Sequence, residues 1–97
     1  MTIHLVSLAE DELDDAINYY EDQLEGLGVR FFNHFQETLD LLSSTPYGWR
    51  LISEHTRRIN IKRFPYLIMY VIDGDDIVVT CIAHQHRNPQ YYLNRAD

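Results

Sequence analysis

YLIMYVIDGDDIVVTCIAH, residues 66–84, decides the fold. Two apolar runs flank Asp73, Gly74, Asp75 and Asp76, and aspartate and glycine are what tight turns demand, so the stretch reads as a β-hairpin. The first run does not alternate apolar with polar residues, which places it in mid-sheet with both faces covered. Upstream, RRINIKRF (57–64) does alternate, Ile59 and Ile61 against Arg58, Asn60 and Lys62, and reads as the neighbouring strand. WRLIS (49–53) has the same strand texture.

The first half has a different period. IHLV (3–6) is a short apolar run ending at Ser7, consistent with a first strand. Ser7 followed by Glu10 has the spacing of a capping box, which predicts a helix starting near Leu8. Ala9, Leu13, Ala16, Ile17, Tyr20 and Leu24 recur at spacings of three and four, and acids fill the other positions as a solvated face. GLG (26–28) breaks the pattern. A second helix then carries Phe32, Phe35, Leu39 and Leu42, with Val29 and Phe31 alongside, and stops at SSTP (43–46). Helices followed by a three-strand meander and a short polar, aromatic tail make an α+β fold of order βααβββ, its helix hairpin packed on a small, mainly antiparallel sheet. The other face of YLIMYVI has little chain left to cover it, so its apolar residues are expected to point toward a partner segment or the tail.

At 97 residues the chain suits a single domain, 1–97, and folding buries somewhat over ~60% of the unfolded surface. No apolar run approaches the ~18–20 residues of a membrane helix, so a cytoplasmic protein with no membrane partner is expected. Cys81, the one cysteine, allows no intramolecular disulfide. The net charge of −7 argues against direct nucleic-acid binding. The charge is uneven: through residue 48 Arg30 is the only base against ten acids, whereas from residue 49 seven bases face five acids. Two faces with different partners follow.

ELDDAINYYEDQLEGLGVRFF, RRINIKRFPYLIMYVI and the ending AHQHRNPQYYLNR, in this order over most of the chain, resemble the ParE branch of the RelE/ParE toxins. The resemblance implies the βααβββ fold and the toxin role in a two-gene toxin–antitoxin module. It also implies a cognate antitoxin whose extended or helical segment lies along the toxin. RelE-type members cut messenger RNA on the ribosome, whereas ParE-type members are linked to poisoning DNA gyrase.

Cleaving RNA by its own 2′-hydroxyl requires a base, cations beside the phosphate and an acid for the leaving oxygen. Laid on this chain, the RelE pattern falls at Arg58, Asn60, Leu67 and Arg87, with Tyr91 or Tyr92 as the tail tyrosine. Asn60 and Leu67 depart from it, and Leu67 cannot stabilise a phosphate. A nuclease would have to use His84 or His86 as base, with Arg87 and Arg58 as cations. His84-x-His86 is also a two-residue metal pair, but a zinc site needs a third ligand, and no metal or cofactor is expected. The favoured expectation is a non-catalytic toxin that meets gyrase through Arg87, Tyr91, Tyr92 and Arg95, residue types that dominate protein contacts. A ribosome-dependent endonuclease and a non-toxic binding module are the alternatives.

Overall fold

The computed structural model describes residues 2–88, 90–93 and 95, with the backbone alone at Tyr92 and Leu93. Strand β1 (Thr2–Leu5) is followed by helices α1 (Ser7–Gln23) and α2 (Leu27–Ser44). Strands β2 (Arg50–Leu51), β3 (Arg57–Asn60), β4 (Tyr66–Asp73) and β5 (Asp76–His84) come next, and a turn of helix, α3 (Gln90–Leu93), is the last element among the described residues. The sheet order is β1-β5-β4-β3-β2. The pairs are antiparallel except β1 with β5, which run parallel. The expected α+β architecture is present, with β4 in the middle of the sheet as its unbroken apolar run requires.

Four strands follow the helices instead of the three of the meander, because two residues of WRLIS, Arg50 and Leu51, pair with β3 and add to the edge as β2. The β4–β5 turn is Gly74-Asp75. Gly74 has φ +60°, the conformation a type II′ hairpin demands at its first loop position.

The capping box does not form. Val6 occupies the N-cap position of α1, Ser7 is already helical, and no side-chain cap bond is made. The reason is β1, whose ladder continues one step further through Val6 N–H to Val79 O at 3.0 Å and leaves the helix to start at once. At the hairpin Glu21 does the capping instead. Its Oε2 accepts from Gly26 N–H at 2.9 Å and its Oε1 from Gly28 N–H at 3.0 Å, so a carboxylate satisfies first-turn amides of α2. The left-handed turn falls on Gly26, φ +87°.

Ala9, Leu13 and Ala16 of α1 and Phe31, Phe35 and Leu42 of α2 pack on Ile59, Ile68, Tyr70, Ile77, Val79 and Ile82 of the sheet. The helical stripes run shorter than their spacing suggests: Leu24 and Val29, at the hairpin, are exposed. Leu67, Met69, Cys81 and Ala83 form a second buried cluster with Ile52 packed against it. The second face of β4 is therefore covered within the chain; of the two covers expected, a partner segment or the tail, the partner is not needed, and the tail's Arg95 lies beside Cys81 of this cluster.

Candidate target-binding site

The site begins with a gap in the sheet. β1 reaches only to Val79 of β5, so the outer edge of β5 beyond that point has no strand beside it among the described residues. The β4–β5 register also shifts between Met69 and Tyr70, which sets Thr80 out of the ladder. Unpaired strand groups shielded from water are costly, Thr80 and Ile82 are both buried, and here side chains replace the missing strand. Ile82 N–H donates to Glu12 Oε1 at 3.0 Å, and Arg95 Nη1 donates to Thr80 O at 3.2 Å.

Glu12 and Arg95 also hold each other. Arg95 Nη1 donates to Oε1 at 2.8 Å and Nη2 to Oε2 at 2.9 Å, a two-pronged pairing, while Tyr91 Oη donates to Oε2 at 2.6 Å. The two charged side chains are only 9% and 14% exposed. Burial pushes the Glu12 carboxyl up, but hydrogen bonds from Arg95, Tyr91 and Ile82 N–H, with the Arg95 charge, outweigh it and hold the group below its ordinary value. The same carboxylate raises Tyr91, whose hydrogen bond to it is the main cause, and raises Arg95. Cys81, fully buried beside this pair, is pushed up to about 12 by burial and by Glu12, so its thiol is unreactive.

Beside the clasp lies a cleft of about 260 Å3 between α1, the end of β5 and the tail. Asp15 and Tyr19 of α1, Tyr66, His84, Arg87 and Tyr91 line it. The Arg87 guanidinium sits 4.1 Å from the Tyr91 ring centre, and that of Arg95 lies 4.6 Å from the same ring. Tyr66 meets the His84 ring edge-on at 5.4 Å. Asn88 precedes α3, its Oδ1 accepting from Gln90 N–H at 3.0 Å and its backbone O from Tyr91 N–H at 2.9 Å.

Three of the four tail residues singled out in the sequence, Arg87, Tyr91 and Arg95, meet here. Tyr92 lies on α3, but its side chain falls outside the described residues. Arg95 is not a free surface cation: its donors are engaged by Glu12 and Thr80. Arg87 is exposed and pairs with no carboxylate among the described residues.

The residues a nuclease would need do not converge. His84, His86 and Arg87 are neighbours, with the histidine rings 5.2 Å apart. Arg58 pairs with Met69 across the ladder and so shares the sheet face of Met69, opposite that of His84, which pairs with Tyr66. It donates to Asn60 Oδ1 at 3.0 Å. Leu67 is wholly buried. His84 Nδ1 accepts from His86 N–H at 3.1 Å, which keeps the neutral ring's proton on Nε2. Among the described residues no three His, Cys, Asp or Glu side chains are grouped to hold a metal ion.

Glu12 is the residue that sequence reading missed, because it looked like one more acid of a solvated face. Its position carried a signal: it stands three residues after Ala9 and four before Ala16, both buried, and so shares the helix face that meets the sheet.

No helix among the described residues is long and apolar enough to cross a membrane. No curated protein matches the sequence. Among solved structures, the fold is similar to one described as the chromosomal ParDE TA system from P. aeruginosa, with a TM-score of 0.76 and 16% identity over 87% of this chain and 95% of that one. The family model for the ParE toxin of the type II toxin-antitoxin system, parDE, matches residues 3–89, and the chain belongs to that family.

Proposed function

We propose that this chain is the toxin of a cytoplasmic type II toxin–antitoxin pair that arrests growth by binding DNA gyrase without catalysing a reaction, and that a cognate antitoxin neutralises it. The observation that carries the binding mode is Arg87, exposed and stacked on Tyr91, on a tail fastened to the domain by the buried Glu12–Arg95 pair. Arginine and tyrosine in a preorganised pose are the groups that dominate protein contacts, because little side-chain entropy remains to be lost. The contact set is Arg87, Tyr91 and Tyr92, with Arg95 acting through the pose it imposes on Tyr91. An enzyme caught while its DNA is cut needs only one of its states stabilised, so no catalytic group is required.

The test is gyrase supercoiling with the purified chain, beside growth arrest on expression and its relief by the antitoxin. Inhibition that disappears in Arg87→Ala supports the reading. Cleavage of messenger RNA in translating ribosomes, lost on changing His84, His86 or Arg87, would establish the endonuclease instead.

A further inference from the structure

Among the described residues the backbone turns left-handed at three positions, and only one of them is not glycine. Gly26 and Gly74 have φ +87° and +60°, whereas the third, at φ +72°, is Arg63. A side chain strains the backbone there, and glycine would relieve the strain. Arg63 stands in the turn between β3 and β4, which is closed by Ile61 N–H to Tyr66 O at 2.9 Å and by Tyr66 N–H to Phe64 O at 2.8 Å. Both bonds are backbone to backbone, so the turn makes no use of the Arg63 side chain. Strain kept where a strain-free residue is available points to a use for that side chain.

Arg63 lines a hollow of about 210 Å3 together with Leu27, Arg30, His34 and Phe64. Leu27, Arg30 and His34 follow one another at spacings of three and four and share one face of α2. Both arginines are exposed, and neither guanidinium makes a hydrogen bond or an ion pair among the described residues. The His34 ring lies 5.6 Å from that of Phe64, and its Nδ1, shut off from solvent, makes no hydrogen bond; Glu37 Oε2 stands 3.5 Å away without completing one. Unmet buried polar atoms are rare and ask for an explanation. No carboxylate lines the hollow, in a chain whose net charge is −7. The end of α2 is not the attraction, since Glu21 already holds the amides of Gly26 and Gly28.

We propose that Arg30, Arg63 and His34 form a binding site for a phosphate monoester or free phosphate. Guanidinium groups keep their charge at all working pH values and meet phosphate oxygens in pairs, and the imidazole supplies a third donor. Phosphate has the oxygens to answer three donor groups at once, whereas a carboxylate has two. The hollow is smaller than the ~300–1,000 Å3 pockets that enclose drug-sized ligands, so it takes the phosphate and leaves the remainder of an ester outside. The site needs neither gyrase nor antitoxin, and it stands or falls apart from the toxin's target.

The probes are inorganic phosphate, adenosine 5′-monophosphate and adenosine, each compared with sodium chloride of equal ionic strength. Phosphate and the monophosphate are expected to raise the unfolding temperature and to move the His34 ring-nitrogen signals in NMR spectra, and adenosine to do neither. A monophosphate that binds more tightly than phosphate marks an ester as the ligand, and equal affinity marks free phosphate. Arg30→Gln is expected to weaken binding tenfold or more. Arg63→Gly is expected to weaken it as much while unfolding at an unchanged or higher urea concentration, because it removes the strain along with the donor.

Stabilisation that sodium chloride or adenosine reproduces, His34 signals that do not move, or full affinity in either variant overturns the proposal. So does an Arg63→Gly protein that unfolds at clearly lower urea, since the side chain would then serve the fold.

Discussion

Glu12 and Arg95, 83 residues apart in the chain, are joined by two parallel N–H···O bonds of 2.8 and 2.9 Å and lie almost out of solvent. One residue comes from the acidic first helix and the other from the basic tail, so the charge asymmetry of the sequence is partly resolved inside the molecule. Together they complete the unpaired edge of β5 through Ile82 N–H and Thr80 O.

Breaking this pair leaves a shielded charge without its partner. Removing one member of a buried ion pair costs about 3–5 kcal/mol, and Glu12→Ala is expected at the lower end because Arg95 keeps the Thr80 carbonyl. Urea denaturation gives the loss, and limited proteolysis should show the tail cut before the rest. A change within 0.5 kcal/mol would return Glu12 to the solvated face.

The same carboxylate sets an acid limit. Its folded value lies below the ordinary 4.5, so its contribution is fully present above that pH and is lost as pH falls through the lowered folded value. Stability should be flat in this respect from neutrality to about pH 5 and then decline, and Glu12→Gln should remove that part of the decline. Urea midpoints measured against pH for both proteins decide it.

Tyr70 limits the alkaline side. Its ring is fully buried, its hydroxyl donates to Pro46 O at 2.7 Å, and burial pushes it up to about 12. A raised folded value means that stability is whole below the unfolded value near 10 and falls as pH rises through the folded one. Tyr70→Phe should cost about 0.5–1.5 kcal/mol at neutral pH through the lost bond and should soften the loss above pH 10. Thermal unfolding at pH 7 and pH 11 checks both signs.

The two hinge glycines should respond differently. A Cβ on Gly28 would meet Ile17 O at 2.7 Å and Glu21 Oε1 at 2.9 Å, so Gly28→Ala must push α1 from α2 and should cost about 1–3 kcal/mol. Gly26 has open space around it, and Gly26→Ala carries only the strain of φ +87°, about 1–2 kcal/mol. Differential scanning calorimetry that ranked Gly26→Ala as the worse change would contradict the packing account.

Much of this architecture was legible because it is local. The unbroken apolarity of YLIMYVI placed β4 in mid-sheet, and the glycine break placed the helix hairpin. Other features depend on distant partners. Nothing in IHLV says that it pairs parallel to β5, and that pairing moved the N-cap from Ser7 to Val6. The cover over Leu67 and Met69 could not be counted before it was known that Cys81, Ala83 and Ile52 gather there. In the candidate site the grouping of Arg87 with Tyr91 was visible from spacing, whereas the engagement of Arg95 required its carboxylate from residue 12. Arg58 was set beside the histidines by a family pattern, and the alternation of strand faces separates them.

Arg87 and Arg95 looked equivalent in the sequence, and the structure divides their work. Arg95 is held by Glu12 and Thr80 and lies close to the Tyr91 ring, so Arg95→Ala should lose stability and binding together. Arg87 makes its contact with the exposed ring of Tyr91 and carries no ion pair among the described residues, so Arg87→Ala should leave the urea midpoint within about 0.5 kcal/mol of the parent. If Arg87 is an anchor of the target contact, the same change should weaken gyrase inhibition by roughly tenfold to a hundredfold, the scale of 1.4–2.8 kcal/mol for a dominant interface residue. Antitoxin affinity of the same variant reports whether the fold is kept. Measuring supercoiling, antitoxin affinity and unfolding on the same two variants separates the roles. A stable, antitoxin-competent Arg87→Ala protein that inhibits as well as the parent would move the contact surface off the tail.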